Sequence, residues 1–546
     1  MSNTPDSKEI PSLASDLKAE SYHVSGKDVS TQHIEARNAT DREHGLTVRN
    51  ALRLYPKAIV YSLVFSTAII MEGYDITLLP SFFGYTAFQE KFGDQPGPNG
   101  VGRVISADWQ TKIQNAGLAG QILGLIINGW VSDIFGYRKT MLAAQFWMVG
   151  GLFIPFFANN LETLLAGNIV LGMPWGIFQT LSVTYASDMA PVVLRPYLTT
   201  YINLCWVIGQ ILASGILKGL LNIPNEWSYK IPFALQWVWP PLLIVGTFLA
   251  PESPWWLVRK DRLEDARKAL IKMTSRDSGV DFNPDEQLAL IQATDRLERA
   301  QSEGTNYWHC FQGTNLRRTE IACVSYVAQA LCGTALMGYS VQFYQRAGLS
   351  TEDAFSFTIG QFCMGFVGTV ASWFLMGRWG RRPIYLAGVA GLLICLVIVG
   401  GLGFADQSQK GPAFATGTLL LVYTLIYDLT IGPLCYSIVA EIPSTRHKIK
   451  TVVMARGLSN CMGFVNNVLM PNMLGVNAWN WGAKTGLFWA GLCLLILVWA
   501  YFRLPEPMGR TYGELDILFE KRVSARKFAS THVDQFAESE DEKIHQ

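Results

Sequence analysis

Charge is scarce in this chain. Only 16% of its 546 residues are Asp, Glu, Lys or Arg, where a soluble domain carries about a quarter. The two signs nearly cancel to a net charge of +1, so no basic field exists to draw in a nucleic acid. Its nine cysteines form no CxxC or Cys/His spacing. Cys323, Cys332 and Cys395 lie inside apolar stretches and read as small core hydrophobes. The seven histidines fall mostly in polar segments, which argues against a metal site. No nucleophile-elbow serine, Walker loop or dinucleotide fingerprint is present, so the common enzyme readings drop out. A cleavable signal is missing too, because the first fifty or so residues are polar, and the first apolar helix is expected to anchor the chain.

Apolar residues, by contrast, make up half the chain. A bilayer-spanning helix takes about 20 of them. Twelve segments qualify, near 57–80, 112–132, 139–158, 163–186, 198–219 and 232–250, then 320–342, 355–376, 384–404, 413–439, 450–472 and 484–503. They are numbered helices 1 to 12. The expected fold is an all-α membrane protein with twelve transmembrane helices in two pseudo-symmetric six-helix bundles. The bundles occupy 57–250 and 319–503, between a tail at 1–56 expected to be disordered and a tail at 504–546. A charged linker at 251–318 carries the pattern Leu263, Ala266, Leu270, which suggests short amphipathic helices at the membrane face.

Two basic loops carry the repeat. Gly129-Trp-Val-Ser-Asp133-Ile-Phe-Gly136-Tyr-Arg138-Lys139 follows helix 2, and Gly377-Arg-Trp-Gly380-Arg381-Arg382-Pro383 follows helix 8. Six apolar runs separate them, which indicates a duplicated six-helix unit of the kind transporters use. Arg138, Lys139, Arg195, the cluster at 259–273, Arg378, Arg381, Arg382, Arg446, Lys448 and Lys450 fall on one side. The positive-inside rule makes that side, both termini and the linker cytoplasmic. The single sequon, Asn38-Ala39-Thr40, then lies where no glycan is added.

Acids inside membrane helices are costly and mark pathways. Helix 1 carries Glu72 and Asp75, three residues apart and so on one face. Crowded, desolvated acids hold protons more tightly, as proton coupling requires, with Asp75 the chief candidate and Glu72 its brace. A plain structural hydrogen-bond pair is the other reading. Asp428 in helix 10 is a third acid, followed by the Gly432-Pro433 pair, which permits a bend beside a cavity. Arg456 in helix 11 either neutralises a helix 10 acid or snorkels to the headgroups.

Uncharged polar residues recur in both halves: Gln121, Gln179 and Gln210 in helices 2, 4 and 5, Gln329 in helix 7, and Asn466 and Asn467 in helix 11. Amides both donate and accept, which suits sugar hydroxyls, and Tyr339, Tyr423 and Tyr436 can pack on a sugar ring. A lone amide is more often helix–helix glue, but recurrence in both halves favours a midplane site. Asp133 is placed to pair across the cytoplasmic face and gate it, with Arg138, Lys139, Arg195, Arg381 and Arg382.

Three further segments resemble the sugar porter family of the major facilitator superfamily. Pro251-Glu252-Ser-Pro-Trp-Trp-Leu257 is similar to its PESPRWL after helix 6, and Pro505-Glu-Pro-Met-Gly-Arg-Thr511 to its PETKGRT after helix 12. Glu441-Ile-Pro443-Ser-Thr-Arg446 is similar to its ExxPxxxR after helix 10, one residue shorter. The likeness runs over about 57–520 and adds Glu252, Glu441 and Arg446 to the gating set. Within the family, Met71-Glu-Gly-Tyr-Asp75, Gly172-Met-Pro-Trp-Gly176, Ser182-Val-Thr-Tyr-Ala-Ser187, Leu198-Thr-Thr-Tyr-Ile-Asn203-Leu-Cys-Trp206 and Trp479-Asn-Trp-Gly-Ala-Lys-Thr485 resemble the fungal maltose permeases, α-glucoside:proton symporters. The resemblance implies that Asp75 is the proton site and that Gln210 and Gln329 bind sugar. The coupling ion would be the proton, with no cofactor, the fold working as a monomer in the plasma membrane.

The chain also departs from that pattern. The helix 4 Arg of many proton-coupled porters is Asn168, the helix 7 Asn of hexose carriers falls at Ala335, the helix 10 Trp is Tyr436, and a helix 2 Glu of maltose permeases is Gln121. Three readings follow: import of α-glucosides, foremost maltose; transport of another glucoside, sucrose or a secondary metabolite; or a non-transporting sugar sensor, against which the short segment at 504–546 argues.

Overall fold

The computed structural model describes residues 29–533, apart from 83–85, 97–101, 221–222, 224, 276–278, 281, 302–306, 339–350, 406–409, 475–478 and 480. The principal helices of the first half are helix 1 (Pro56–Phe82), helix 2 (Ala107–Phe135), helix 3 (Tyr137–Gly151, resumed at Phe153–Phe156), helix 4 (Leu161–Met189), helix 5 (Arg195–Leu220) and helix 6 (Trp227–Leu235 and Trp239–Leu249, joined by a 3-10 turn at Gln236–Val238). Those of the second are helix 7 (Gly313–Leu331, then Ala335–Gly338), helix 8 (Thr351–Trp379), helix 9 (Arg381–Leu402), helix 10 (Lys410–Leu429 and Ile431–Glu441), helix 11 (Lys448–Leu474) and helix 12 (Thr485–Arg503).

Among the described residues, nine of these helices are long and apolar enough to cross a membrane. Helices 3, 7 and 11 fall short for visible reasons. Helix 3 breaks after 15 residues. Helix 7 opens on Gly-Thr-Asn-Leu-Arg-Arg-Thr-Glu. Helix 11 carries Lys448, Lys450, Arg456 and several asparagines. Breaks also divide helices 6 and 10. In helix 10, Pro433 has no N–H to offer the Leu429 carbonyl, and Thr430 leaves helical geometry at φ −128°, ψ −90°.

Lipid supplies no hydrophobic force between helices, so small residues decide which of them approach closely. Helices 2 and 4 touch backbone to backbone. A Cβ on Gly120 or Gly124 would collide with the chain at Ile169 or Met173, and one on Gly172 or Gly176 with the chain at Gly117 or Gln121. Gly73 of helix 1 and Gly209 of helix 5 make the same kind of seam. The two seams draw helices 1, 2, 4 and 5 together and aim their polar side chains inward.

Helices 5 and 8 pack against each other, as do helices 2 and 11, and along these contacts the two halves meet. The tails depart from expectation. Residues 29–54, within the tail expected to be disordered, form helices Val29–Gly45 and Val48–Leu54. Ala36 and Ala39 are small enough to let the first lie on linker helix Pro284–Gln301 at Ala289 and Leu290, where Arg42 pairs with Glu286 at 3.0 Å. The C-terminal segment is also built in. Helix Tyr512–Glu520 starts on a capping box of Thr511 and Glu514 and buries Leu515, Leu518 and Phe519 in the second half's core. One two-residue antiparallel pairing, Gln95–Pro96 with Arg103–Val104, interrupts the all-helical pattern between helices 1 and 2.

Candidate transport site

Glu72 and Asp75 are both fully buried, and they face different neighbours. The side-chain amide of Gln179 on helix 4 donates to Glu72 Oε1, and Glu72 Oε2 has no hydrogen-bond partner among the described residues. Gln236, in the 3-10 turn of helix 6, donates to Asp75 Oδ1 at 2.8 Å. Positions three apart on a helix differ by about 60°, enough to send one acid toward helix 4 and the other toward helix 6.

The glycine seam between helices 2 and 4 sets Gln121 beside Gln179, whose amide lies 3.4 Å from Gln121 Oε1. Gln179 Oε1 accepts from Arg456 Nε at 2.7 Å. Arg456 therefore neither snorkels nor meets a helix 10 acid. It is the ninth residue of helix 11, is buried, and reaches across to the first half. Its guanidinium lies 5.5 Å from the Trp206 ring centre and 5.3 Å from that of Tyr326. An unbroken chain, Arg456–Gln179–Glu72, thus joins the two halves through one amide that donates to the acid and accepts from the base. A glutamine suits this place because one side chain does both.

The third acid makes a separate junction. Asn203 of helix 5 donates to Asp428 Oδ1 at 2.9 Å and lies 3.0 Å from Thr369 Oγ1 on helix 8. Asn203 stood in a resemblance motif but carried no role in the sequence reading, because nothing local says what it faces. Gln236 was missed for the same reason.

The remaining polar candidates scatter. Gln329 donates to the Gly432 carbonyl at 3.1 Å, next to the helix 10 break. Tyr436 is buried edge-on against Tyr326, ring centres 5.8 Å apart, close to Arg456. Gln210 is half-buried on helix 5. Asn466 Oδ1 is buried without a partner, while Asn467 donates to Asn115 of helix 2 at 2.9 Å and so joins the halves. Tyr423 does not reach the seam, since its hydroxyl donates to the Cys332 carbonyl at 2.5 Å inside the second half's core. Tyr339 lies outside the described residues.

At the basic-loop end the two halves repeat one capping arrangement. Gly136 (φ +89°) and Gly380 (φ +80°) end helices 2 and 8 in backbone shapes that favour glycine. Glu252 accepts the amides of Tyr137 at 2.9 Å and Arg138 at 3.2 Å, and Glu506 those of Arg381 at 3.0 Å and Arg382 at 2.8 Å. Each carboxylate thereby caps the helix that follows, its charge at the positive end of the dipole. Burial raises both carboxyl pKa values above the ordinary range, against the pull of those amides. Arg138 donates to the Phe248 carbonyl, and Arg382 to that of Tyr501 at 2.8 Å.

Other charges at this end tie the halves together. Asp133 of helix 2 pairs with Lys450 of helix 11. Asp188, closing helix 4, pairs with Lys448 at 2.7 Å, both buried, and Lys448 also donates to the Tyr512 hydroxyl at 2.7 Å. Arg259 of the linker donates to the Thr445 carbonyl at 2.5 Å. Glu441 pairs with Arg381 within its own half at 2.9 Å. Arg195 lies over the Tyr512 ring at 3.9 Å, Lys139 is exposed, and Arg446 lies in the turn between helices 10 and 11. Asp188 was not on the sequence list, although a signal existed: Asp188 and Arg195 are spaced as Glu441 and Lys448 are.

This architecture matches known proteins closely. The chain is 44% identical to a general alpha-glucoside permease of Saccharomyces cerevisiae over 507 residues, 92% of this chain and 82% of that one. It is 43% identical to the maltose permease MAL61 of the same yeast over 512 residues, again 92% and 82% of the two chains. In fold it resembles the proton:xylose symporter XylE bound to 6-bromo-6-deoxy-D-glucose, with a TM-score of 0.73 at 19% identity over 85% of this chain and 99% of that one. Against the inward open conformation of XylE from E. coli the TM-score is 0.60 at 18% identity, over 84% and 98%. The sugar (and other) transporter profile matches residues 61–519, and with it the chain belongs to that family, as a multi-pass membrane transporter of the major facilitator fold.

Proposed function

We propose that the chain imports α-glucosides, maltose foremost, across the plasma membrane by proton symport, as a monomer with both termini in the cytoplasm. The observation that carries this reading is the buried chain Glu72–Gln179–Arg456, which runs between the halves in a protein 42–44% identical to α-glucoside and maltose permeases. Alternating access needs such a link, because a proton on the acid then changes what one half offers the other.

The steps follow from the contacts. Asp133–Lys450, Asp188–Lys448 and Arg259 to the Thr445 carbonyl close the basic-loop end, so sugar and proton enter from the opposite face. Protonation of Glu72 or Asp75 neutralises a buried acid whose side-chain partner is a neutral amide. Sugar hydroxyls then draw on the amides at the seam, among them Gln210, Gln329 and Asn466. Rocking separates the cytoplasmic ion pairs, and both ligands leave on that side. With Asn168 and Gln121 uncharged, the proton's place falls to Glu72, Asp75 and Asp428.

Uptake of radiolabelled maltose, sucrose and glucose into transporter-null yeast, with and without a protonophore, tests the proposal. Maltose uptake abolished by protonophore is expected, and Asp75→Asn is expected to remove its pH dependence. Surface-localised protein that moves none of the three sugars would overturn the α-glucoside reading in favour of a non-sugar cargo.

A further inference from the structure

A groove of about 660 Å³ lies at the basic-loop end of the second half, outside the transport path. It is walled by the loop from helix 8 to helix 9, the link after helix 12, and residues 525–533. Its polar lining is dominated by Arg378, Arg382, Arg510 and Arg526, against Glu506 and Glu514.

The two carboxylates are already engaged within the protein. Glu506 caps helix 9 through the Arg381 and Arg382 amides and also takes the Met508 amide at 3.0 Å. Glu514 takes His44 at 3.3 Å, Arg510 at 3.9 Å and the Thr511 amide at 2.8 Å. Among the described residues, Arg378, Arg382 and Arg526 form no ion pair, and Arg378 and Arg526 are exposed. Among the described residues, Arg378, Arg382 and Arg526 thus border a concave space without an anionic partner of their own. Guanidinium groups are suited to grip phosphate in forked geometry.

The position selects the source of that phosphate. Three candidate spans end at the groove: helix 8 at Trp379, helix 9 at Arg381 and helix 12 at Arg503. Trp379, Tyr501 and Phe502 stand exposed at those ends, and Arg526 lies 5.8 and 5.7 Å from the rings of Tyr501 and Phe502. Exposed aromatics at span ends mark the headgroup level of a bilayer. A soluble anion has no use for them, whereas a lipid whose chains lie along helices 8, 9 and 12 brings its phosphate to this depth.

We infer that this groove binds the phosphate headgroup of an anionic phospholipid of the leaflet that faces the basic loops. The site goes beyond the transport proposal and stands whether or not α-glucosides are the cargo.

Native mass spectrometry of the purified full chain in detergent, with dioleoyl phosphatidic acid, dioleoyl phosphatidylcholine or inorganic phosphate, tests it. Selective adducts with phosphatidic acid are expected. They should weaken on the order of tenfold or more in the Arg378→Gln/Arg526→Gln double variant. The Arg378→Lys/Arg526→Lys variant should keep most of the binding, which separates lost charge from lost fold. Equal phosphatidic acid binding by the wild type and the glutamine variant would overturn the assignment. Displacement of the lipid by inorganic phosphate at equal concentration would also overturn it, by making the groove a soluble-anion site.

Discussion

Asn203 of the first half holds Asp428 of the second, its side-chain N–H donating to the carboxylate at 2.9 Å across the seam. The carboxylate has little room to turn away. A Cβ at Gly365 would lie 2.5 Å from Asp428 Oδ2, and one at Gly432 3.3 Å from Oδ1. Helices 5, 8 and 10 therefore share one polar junction that any rocking motion must break or carry along.

Asn203→Ala removes the one side-chain donor on Asp428 among the described residues and strands a buried acid, at a cost of about 1–3 kcal/mol. The expected result is a lower thermal midpoint and at least a several-fold drop in uptake, with Asp428→Asn in the same background restoring stability. Wild-type stability and uptake in Asn203→Ala would show that the junction is idle.

The Asp188–Lys448 pair is buried on both sides. Removing one partner of such a pair typically costs about 3–5 kcal/mol, because the other charge remains in the dry interior. Lys448→Met is expected to lower the melting temperature strongly, while Lys448→Met with Asp188→Leu recovers most of the loss. Thermal melts of both single variants and the double decide it, and a loss in the double equal to the sum of the two single losses would mean the charges do not see each other.

Gly380→Ala places a Cβ 2.5 Å from Glu506 Oε2 at φ +80°, and Gly136→Ala does the same against Glu252 Oε2 at φ +89°. Each should destabilise by about 1–3 kcal/mol and reduce surface expression. Gly150→Ala, whose Cβ meets nothing within 4 Å, is the control and should be near neutral. Comparable losses in all three would point away from the capping geometry.

His44 ties the N-terminal helix to Glu514 of the C-terminal helix. Its hydrogen bond to Glu514, opposed by burial, raises the His44 pKa above the ordinary 6.5. That contribution is complete below 6.5 and fades as pH rises through the raised value. For Glu514, burial opposes ionisation, but His44, the Thr511 amide and Arg510 together lower its pKa below the ordinary 4.5. Its contribution is present above 4.5 and is lost as pH falls through the lowered value. Protease protection of the N-terminal helix should therefore peak between the two and decline toward alkaline pH. His44→Gln should remove the alkaline decline, and an unchanged profile would leave His44 without that role.

Most of the apolar runs, the duplicated basic loops, the presence of two acids in helix 1 and the family were legible in the sequence, because membrane insertion and helix capping act on local stretches of about 20 residues or fewer, whereas the reading that put Glu72 and Asp75 on one face did not foresee that they meet different helices. Glu252 was visible as part of a motif, but its symmetry with Glu506 emerged only when both were seen capping the helix after a positive-φ glycine. The tail at 29–54 looked disordered because its polarity hides an alanine face that only the linker helix makes useful. Arg456 reads as a snorkelling cation when helix 11 is taken alone, and it becomes a link between the halves only when helix 4 presents Gln179. Asn203, Gln236, Lys448 and Lys450 likewise gained partners from 161 to more than 300 residues away. The sequence by itself determined the membrane helices and the repeat, since hydropathy and turn chemistry are properties of neighbours along the chain. The tertiary structure alone decided which acid meets which base, since desolvation makes those pairings strong only where packed helices exclude water.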